Sequence, residues 1–336
     1  MKILFHPLMP IDLKASNAVS DYQSDMMFHG LVKSLGKNTH THFDLWWHDK
    51  DTKDKNPELF SDIWGSGFTM YGLLDEEEYT RHFSNDVDEY DAVVIPIHHT
   101  MNKQDQSLKS LLSFFIKRGY EKNQLIVIDG WDQEYINKDI AKSCTYYKRE
   151  MKDHHKEYAL PISFAIPKEK IRKLDDSKRN VAFAPLIPVN QSVDPSYMST
   201  YIYDTEESYY DMYQTAHFSY TSKKGGWDTL RHYEIIANGS IPFFVDMEEC
   251  PKHTLWNLPK DKLIQAKYLL GGVPNLTEGQ WQRKSLPNCG TIDKENPGYL
   301  VDFRPELWKH FRQEFYDWLN REATTEALAQ RVLGNI

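Results

Sequence analysis

The sequence predicts an α/β protein made of two doubly wound domains facing a cleft, and three observations carry that prediction. The chain has 336 residues, beyond the ~100–200 of one usual domain. Short, continuously apolar runs alternate with amphipathic stretches in both halves, the pattern of parallel sheets covered on both faces. A strand pattern in the second half passes into a helix pattern through the pair Gly225-Gly226.

Taken in order, residues 2–5 (Lys-Ile-Leu-Phe) predict a strand, a Pro-containing loop follows, and 21–35 predict a helix ended by Gly36. Asp21 suits a helix cap, and with Tyr22 and Asp25 it marks the first loop-to-helix junction. Residues 42–47 predict the next strand, whereas 48–88 are polar and acidic around an aromatic, Gly-rich stretch at 63–68. The pattern then clears: 91–97 predict a buried strand, 104–118 an amphipathic helix, 124–129 a second buried strand and 159–166 a last one. Lys- and Asp-rich residues 168–180 predict an exposed linker at the domain boundary. Beyond it come a strand at 180–185, a Tyr-rich polar stretch, a helix at 206–215, a strand at 216–221, a helix at 228–238 closed by Gly239, and a strand at 241–245; 305–329 predict mainly helix.

Composition narrows the function classes. Hydrophobic residues at 40% and charged residues at 26% suit two packed cores. The net charge of −9 gives the whole molecule no electrostatic attraction for nucleic acid, which leaves only local basic patches for that purpose. Cys144, Cys250 and Cys289 are too few and too scattered for a disulfide framework or a zinc cluster and point to a reducing compartment. No apolar run approaches the ~20 residues of a membrane span, and the first residues run into a strand rather than a signal peptide, so the expectation is a cytoplasmic protein without membrane insertion, in the host cytoplasm if viral.

The segment with the most chemistry is 218–244. Its glycines let main chain approach a ligand, and the following helix start offers unpaired N–H groups and the positive end of the helix dipole, a seat for a diphosphate to which Lys223, Lys224 and Arg231 add charge. Glu234 follows Arg231 by three residues and shares its helix face, so a carboxylate can meet a ribose while the guanidinium meets phosphates. The plain alternative is a surface Arg-Glu pair beside an ordinary turn.

Thr229-Leu230-Arg231-His232-Tyr233-Glu234, continued by Ala237-Asn238-Gly239-Ser240-Ile241-Pro242, resembles the donor-binding segment of GT-B-fold glycosyltransferases, including exostosin-like enzymes and the T-even phage DNA glucosyltransferases. The resemblance covers about thirty residues. It implies two Rossmann-like domains: 1–172 on the acceptor side, 173–310 binding a nucleotide sugar, and a helical segment 311–336 packing back on the first. It further implies that Arg231 touches the diphosphate and Glu234 the ribose; Gly225, Gly226, Thr229, Lys223 and Lys224 are the other residues expected in the nucleotide-sugar site.

Inverting sugar transfer needs a base for the acceptor hydroxyl. Asp129, at the end of the 124–129 strand, resembles the place where the phage enzymes keep an Asp base; Asp132 is a rival, a capping or loop carboxylate is the plain alternative, and His98 and His99 on the rim after the 91–97 strand come second. Trp46, Trp47 and Trp64 suit stacking or, for the first two, core packing. Helix dipole and basic side chains can stabilise a leaving diphosphate, so no metal and no cofactor is expected beyond a UDP sugar as co-substrate. The resemblance points to hydroxymethylated cytosine in phage DNA as acceptor, with Lys168–Lys173 and Lys223-Lys224 as the basic stretches available. Net charge points instead to a glycan or small molecule. A non-catalytic nucleotide- or carbohydrate-binding protein of the same fold is the alternative from another class, and a dinucleotide oxidoreductase is disfavoured because no G-x-G-x-x-G turn follows the first strand.

Overall fold

A computed structural model describes residues 1–8, 21–61, 63–81, 90–97, 101–184, 203–223, 225–244, 246–274 and 298–336, the main chain alone for 101–104. The chain divides into two compact units: Met1–Pro167 with Pro251–Trp256 and Thr324–Ile336, and Lys168–Cys250 with Asn257–Ala323.

The first unit is built on seven parallel strands, β1 (Ile3–Phe5), β2 (Thr39–Thr41), β3 (Thr80–Arg81), β4 (Ala92–Ile97), β5 (Leu125–Asp129), β6 (Thr145–Lys148) and β7 (Leu160–Pro161), in the order β3-β2-β1-β4-β5-β6-β7. Its helices are α1 (Tyr22–Leu35), α2 (Lys50–Lys55), α3 (Met101–Ile116) and α4 (Lys138–Lys142). Leu4, Val93, Ile95, Leu125 and Val127 pack with Leu108, Leu112 and Phe115 of α3 and Ile140 and Ala141 of α4. Phe5, of opposite parity, meets Phe28 of α1 with ring centroids 5.0 Å apart. Both sheet faces are covered, which is why β4 and β5 read as unbroken apolar runs. The strand order reverses between β1 and β4, the place where open α/β sheets bind ligands at the carboxyl ends of their strands.

Asp21 caps α1 by accepting from the Ser24 N–H at 3.0 Å, as its sequence position suggests. The strand expected at 42–47 lies earlier: Thr39–Thr41 pairs with Ile3–Phe5, and Trp46–His48 is a 3-10 turn. The aromatic run owes its burial to contacts from a turn rather than a strand, with the Trp47 indole donating to Asp25 at 2.8 Å and Trp46 edge-on to Phe60 at 5.6 Å. Trp64 is exposed.

The second unit holds β8 (Val181–Phe183), β9 (Ala216–Thr221) and β10 (Ile241–Phe244), parallel in the order β10-β9-β8. Between and after them come α5 (Glu206–Thr215), α6 (Leu230–Ala237), α7 (Lys260–Leu269), the antiparallel pair β11 (Gly272–Pro274) and β12 (Gly298–Leu300), and α8 (Pro305–Glu322). Phe183 stacks on Phe218 and Tyr220 at 5.4 and 4.8 Å and meets Phe243 edge-on, a ring cluster at the sheet centre. Gly239 ends α6 at φ +70°, where a Cβ would also stand 2.5 Å from the Arg179 guanidinium.

Residues 168–180 are largely exposed, yet they are tied to the second unit rather than forming a free linker. Lys170 pairs with Glu206 at 2.7 Å, Arg172 with Glu207, and Arg179 donates to the carbonyls of Ala216 and Asn238. The charge that predicted exposure is spent on the carboxylates and carbonyls of α5 and the sheet.

The 305–329 stretch is two helices, because Ala323 and the capping Thr324 break it: α8, and then α9 (Thr325–Leu333), which belongs to the first unit and packs along α1. Among the described residues no helix is long and apolar enough to cross a membrane.

Candidate functional site

In the second unit β9 leaves the sheet at Thr221, the chain turns through 222–229, and α6 begins at Leu230. His232, fully buried, fastens that turn. Its Nε2 lies 2.8 Å from the Trp227 carbonyl, which can only accept, so Nε2 carries the proton and Nδ1 accepts from the Thr221 hydroxyl at 2.7 Å. The ring also leans on Phe244, with centroids 4.5 Å apart. Gly225 is exposed and Gly226 buried; Lys223 Nζ stands 5.6 Å over the Trp227 ring, and Lys224 lies outside the described residues. The Asp228 carboxylate is buried and accepts from the Tyr233 hydroxyl at 3.1 Å.

Thr229 stands at the N-cap, but its side chain makes no capping hydrogen bond; its hydroxyl lies 3.3 Å from His232 Nε2 instead. The first turn of α6 thus has no side-chain cap, its His232 N–H reaching the Thr229 carbonyl at 3.2 Å instead. Arg231, in that turn, is 7% exposed, and its Nε and Nη1 have no hydrogen-bond partner. A buried guanidinium with open N–H groups is costly unless an anion meets it.

Glu234 is 5% exposed and accepts from the Tyr209 hydroxyl at 2.7 Å, which in turn lies 2.9 Å from the Tyr213 hydroxyl. Burial first, and then the Glu234 charge, pushes the Tyr209 phenol well above its ordinary range, so it stays a donor. With both side chains this buried, the surface-pair alternative for Arg231 and Glu234 does not describe them. Tyr209 and Tyr213, four residues apart on one face of α5, are the partners sequence reasoning passed over; their spacing was the available signal.

One strand over, β10 delivers Asp246 to the same sheet edge, since Phe244 pairs with Thr221. Asp246 is 5% exposed and neither carboxylate oxygen has a hydrogen-bond partner; its own main-chain N–H faces the carboxylate without reaching hydrogen-bond geometry. Burial pushes its pKa up to about 6, and Glu249 and Glu248 add to that against the opposing charge of Lys267.

In the first unit Asp129 ends β5 and is buried. Oδ1 accepts from Lys148 Nζ and the Trp131 N–H, both at 2.9 Å, and Oδ2 accepts from the Tyr146 hydroxyl at 2.7 Å. Lys148 is itself wholly buried, and burial pulls its pKa down while Asp129 opposes the shift. Asp132 pairs with Arg149, whose Nε and Nη2 also hold the Gly130 carbonyl at 2.9 and 2.8 Å. Both carboxylates are therefore engaged by cations at the carboxyl edge of the sheet. His98 and His99 lie outside the described residues.

The sequence carries two Asp-x-Asp triplets, a spacing that can hold a metal-bound diphosphate, and they bear on the expectation of no metal. Asp49-Lys50-Asp51 is a helix start: Asp49 accepts from the Asp51 N–H and the Thr52 hydroxyl, both at 2.9 Å, and Asp51 pairs with Lys55 at 2.7 Å. Asp86-Val87-Asp88 lies outside the described residues. Among the described residues no group of three His, Cys, Asp or Glu could hold a metal ion. Of the cysteines, Cys144 and Cys250 form no disulfide, and burial pushes the Cys144 pKa up to about 12; Cys289 lies outside the described residues.

No family model, curated protein or solved structure matches the chain.

Proposed function

We propose that the chain is a glycosyltransferase of GT-B architecture that moves a sugar from a UDP-linked donor to a hydroxyl acceptor. The observation that carries the proposal is the buried Arg231 guanidinium, open at Nε and Nη1 in the first turn of a helix whose N-cap side chain makes no cap. An anion is the ligand that chemistry asks for, and a diphosphate supplies it at the dipole's positive end. Glu234, held by Tyr209 one turn along, is the carboxylate for the ribose hydroxyls. As the sugar leaves, Arg231 and the first-turn N–H groups take up the negative charge on UDP, with Lys223 and Lys224 nearby in sequence.

On the acceptor side Asp129 is the proposed proton acceptor. Its Oδ2 takes one described donor, the Tyr146 hydroxyl, so a lone pair remains for an incoming hydroxyl. Lys148 Nζ donates to its other oxygen, Oδ1, at 2.9 Å and fixes the carboxylate's orientation. Asp132 and His98 are the alternatives.

For the acceptor, the resemblance favours 5-hydroxymethylcytosine in DNA. The ion pairs Lys170-Glu206 and Arg172-Glu207 favour an uncharged hydroxyl acceptor, a glycan or small molecule, because they neutralise one of the two basic stretches a DNA face would use. The test is UDP release from a panel of UDP sugars, with and without hydroxymethylcytosine-containing DNA. Release that DNA stimulates supports the DNA acceptor; donor binding with DNA-independent turnover on glycans supports the other; no UDP binding removes the glycosyltransferase reading.

A further inference from the structure

Gln23, in the first turn of α1, is 1% exposed, and neither its Nε2 nor its Oε1 has a hydrogen-bond partner. Among the described buried side chains it is the one carboxamide open at both atoms. Helix packing accounts for its stem and not for its amide: α1 comes so close to residue 130, a glycine, that a Cβ there would stand 2.6 Å from the Gln23 Cβ and 3.1 Å from its Cγ. An apolar side chain of the same length would pack there without burying an unpaired donor and acceptor. The ligand that matches an amide open on both sides brings both complements, an N–H beside an acceptor atom. No hydrogen bond has to break for the side chain to turn towards it.

The neighbours of that amide say what carries such an edge. Gly130 follows Asp129, whose Oδ2 has the Tyr146 hydroxyl as its one described donor, and precedes Trp131, which is half-buried. The open amide, the strand-end carboxylate and an aromatic ring therefore meet around one turn at the carboxyl edge of the first sheet. In a 5-hydroxymethylated cytosine the ring nitrogen N3, the amino group on C4 and the hydroxymethyl group on C5 are consecutive. A carboxamide that pairs with N3 and the amino group thus sits beside the group that takes the hydroxyl, and an aromatic side chain suits the face of the ring. We propose that Gln23 pairs with N3 and the amino group of a cytosine whose 5-hydroxymethyl oxygen lies at Asp129. This rests on the proposed acceptor role of Asp129 and chooses the acceptor class, a base rather than a glycan. The edge is the one used in Watson–Crick pairing, so the base binds unpaired.

Fluorescence anisotropy of two labelled single-stranded oligonucleotides, with the full chain as wild type and as Gln23→Met, tests this. One carries 5-hydroxymethylcytosine; the other carries the same base doubly methylated on its amino nitrogen, which keeps the hydroxyl and has no N–H to give. Wild type binds the first about tenfold or more tightly than the second, the worth of a paired edge, and Gln23→Met binds both alike. Gln23→Leu repeats the loss. A purely structural glutamine would weaken both oligonucleotides together and lower the Tm on substitution, whereas a base-reading one leaves Gln23→Met melting at or above wild type, since no open amide is then buried. Wild type that does not discriminate, discrimination that survives Gln23→Met, or equal weakening of both oligonucleotides overturns the proposal. So does a Gln23-dependent preference for glycans capped with N-acetylglucosamine over those capped with glucose, which hands the amide to an acetamido group. UDP binding by wild type is scored apart: its absence removes the glycosyltransferase reading whatever the oligonucleotides show, and its presence leaves that reading standing if Gln23 fails.

Discussion

The Tyr209 hydroxyl of α5 donates to Oε2 of Glu234 of α6 at 2.7 Å, and both side chains are buried. The bond orients a buried carboxylate three residues after Arg231, and it couples two helices through a polar contact inside the second unit. Tyr209→Phe removes this donor without opening a cavity. Unfolding in urea should show a loss of about 1–2 kcal/mol, and UDP affinity should fall about threefold to tenfold as Glu234 loses its orientation. Lost stability with UDP affinity intact would detach the bond from the proposed donor site.

Arg231→Met has the opposite signature. A buried cation with open N–H groups destabilises the empty protein, so the variant should melt at or above the wild-type temperature while UDP binding falls at least about tenfold. Arg231→Lys should not restore binding, since a single ammonium cannot span two phosphate oxygens as a guanidinium does.

Asp129→Asn should cost both turnover and stability. It leaves the wholly buried Lys148 without its carboxylate, a loss on the order of 3 kcal/mol. The double variant Asp129→Asn, Lys148→Met should recover most of that stability. Recovered folding with turnover still absent assigns Asp129 to the reaction; recovered turnover returns it to a purely structural place.

The pKa of Asp246 sets a pH dependence whose sign is unusual for an aspartate. Its folded pKa of about 6 lies above the unfolded 3.8, so between those values the folded state holds more protons and stability falls as pH rises. Burial holds His6 and His155 down at about 4, against an ordinary 6.5, and they act the other way over the same range, gaining stability as pH rises. The informative quantity is therefore the difference in Tm between Asp246→Asn and wild type. It should be small at pH 4 and grow in the variant's favour up to pH 7, with a limit on the order of 2–3 kcal/mol.

How much of this the sequence discloses depends on what each element buries. The runs 92–97 and 125–129 are legible because both faces of their strands are covered, which demands apolar residues without interruption. Thr39–Thr41 is an equally buried strand, but its Thr-His-Thr carries no apolar signal, and the neighbouring aromatic run drew the strand expectation three residues too far. Thr145–Lys148 escaped notice for a related reason: its last residue is a lysine whose burial Asp129 and the Trp131 carbonyl, distant in sequence, make tolerable. At the proposed donor site the Gly-Gly turn and the Arg231-Glu234 spacing stood out as local patterns. Tyr209 and Asp246 did not, because their importance comes from a contact made and a contact left unmade, neither of which sequence spacing records.

The first unit has a seam in time as well as in space. Gly30 of α1 packs so closely on α9 that a Cβ there would stand 2.0 Å from the Thr325 carbonyl oxygen, and the His29 ring meets the Thr325 hydroxyl at 2.8 Å. The strip that seals this face of α1 is encoded after the whole of the second unit. A ribosome therefore delivers the second unit's residues before the first can close, and until then α1 presents a bare face. The chain's order of synthesis and its order of completion are not the same, and an interrupted chain carries an unsealed helix that quality-control proteases can recognise.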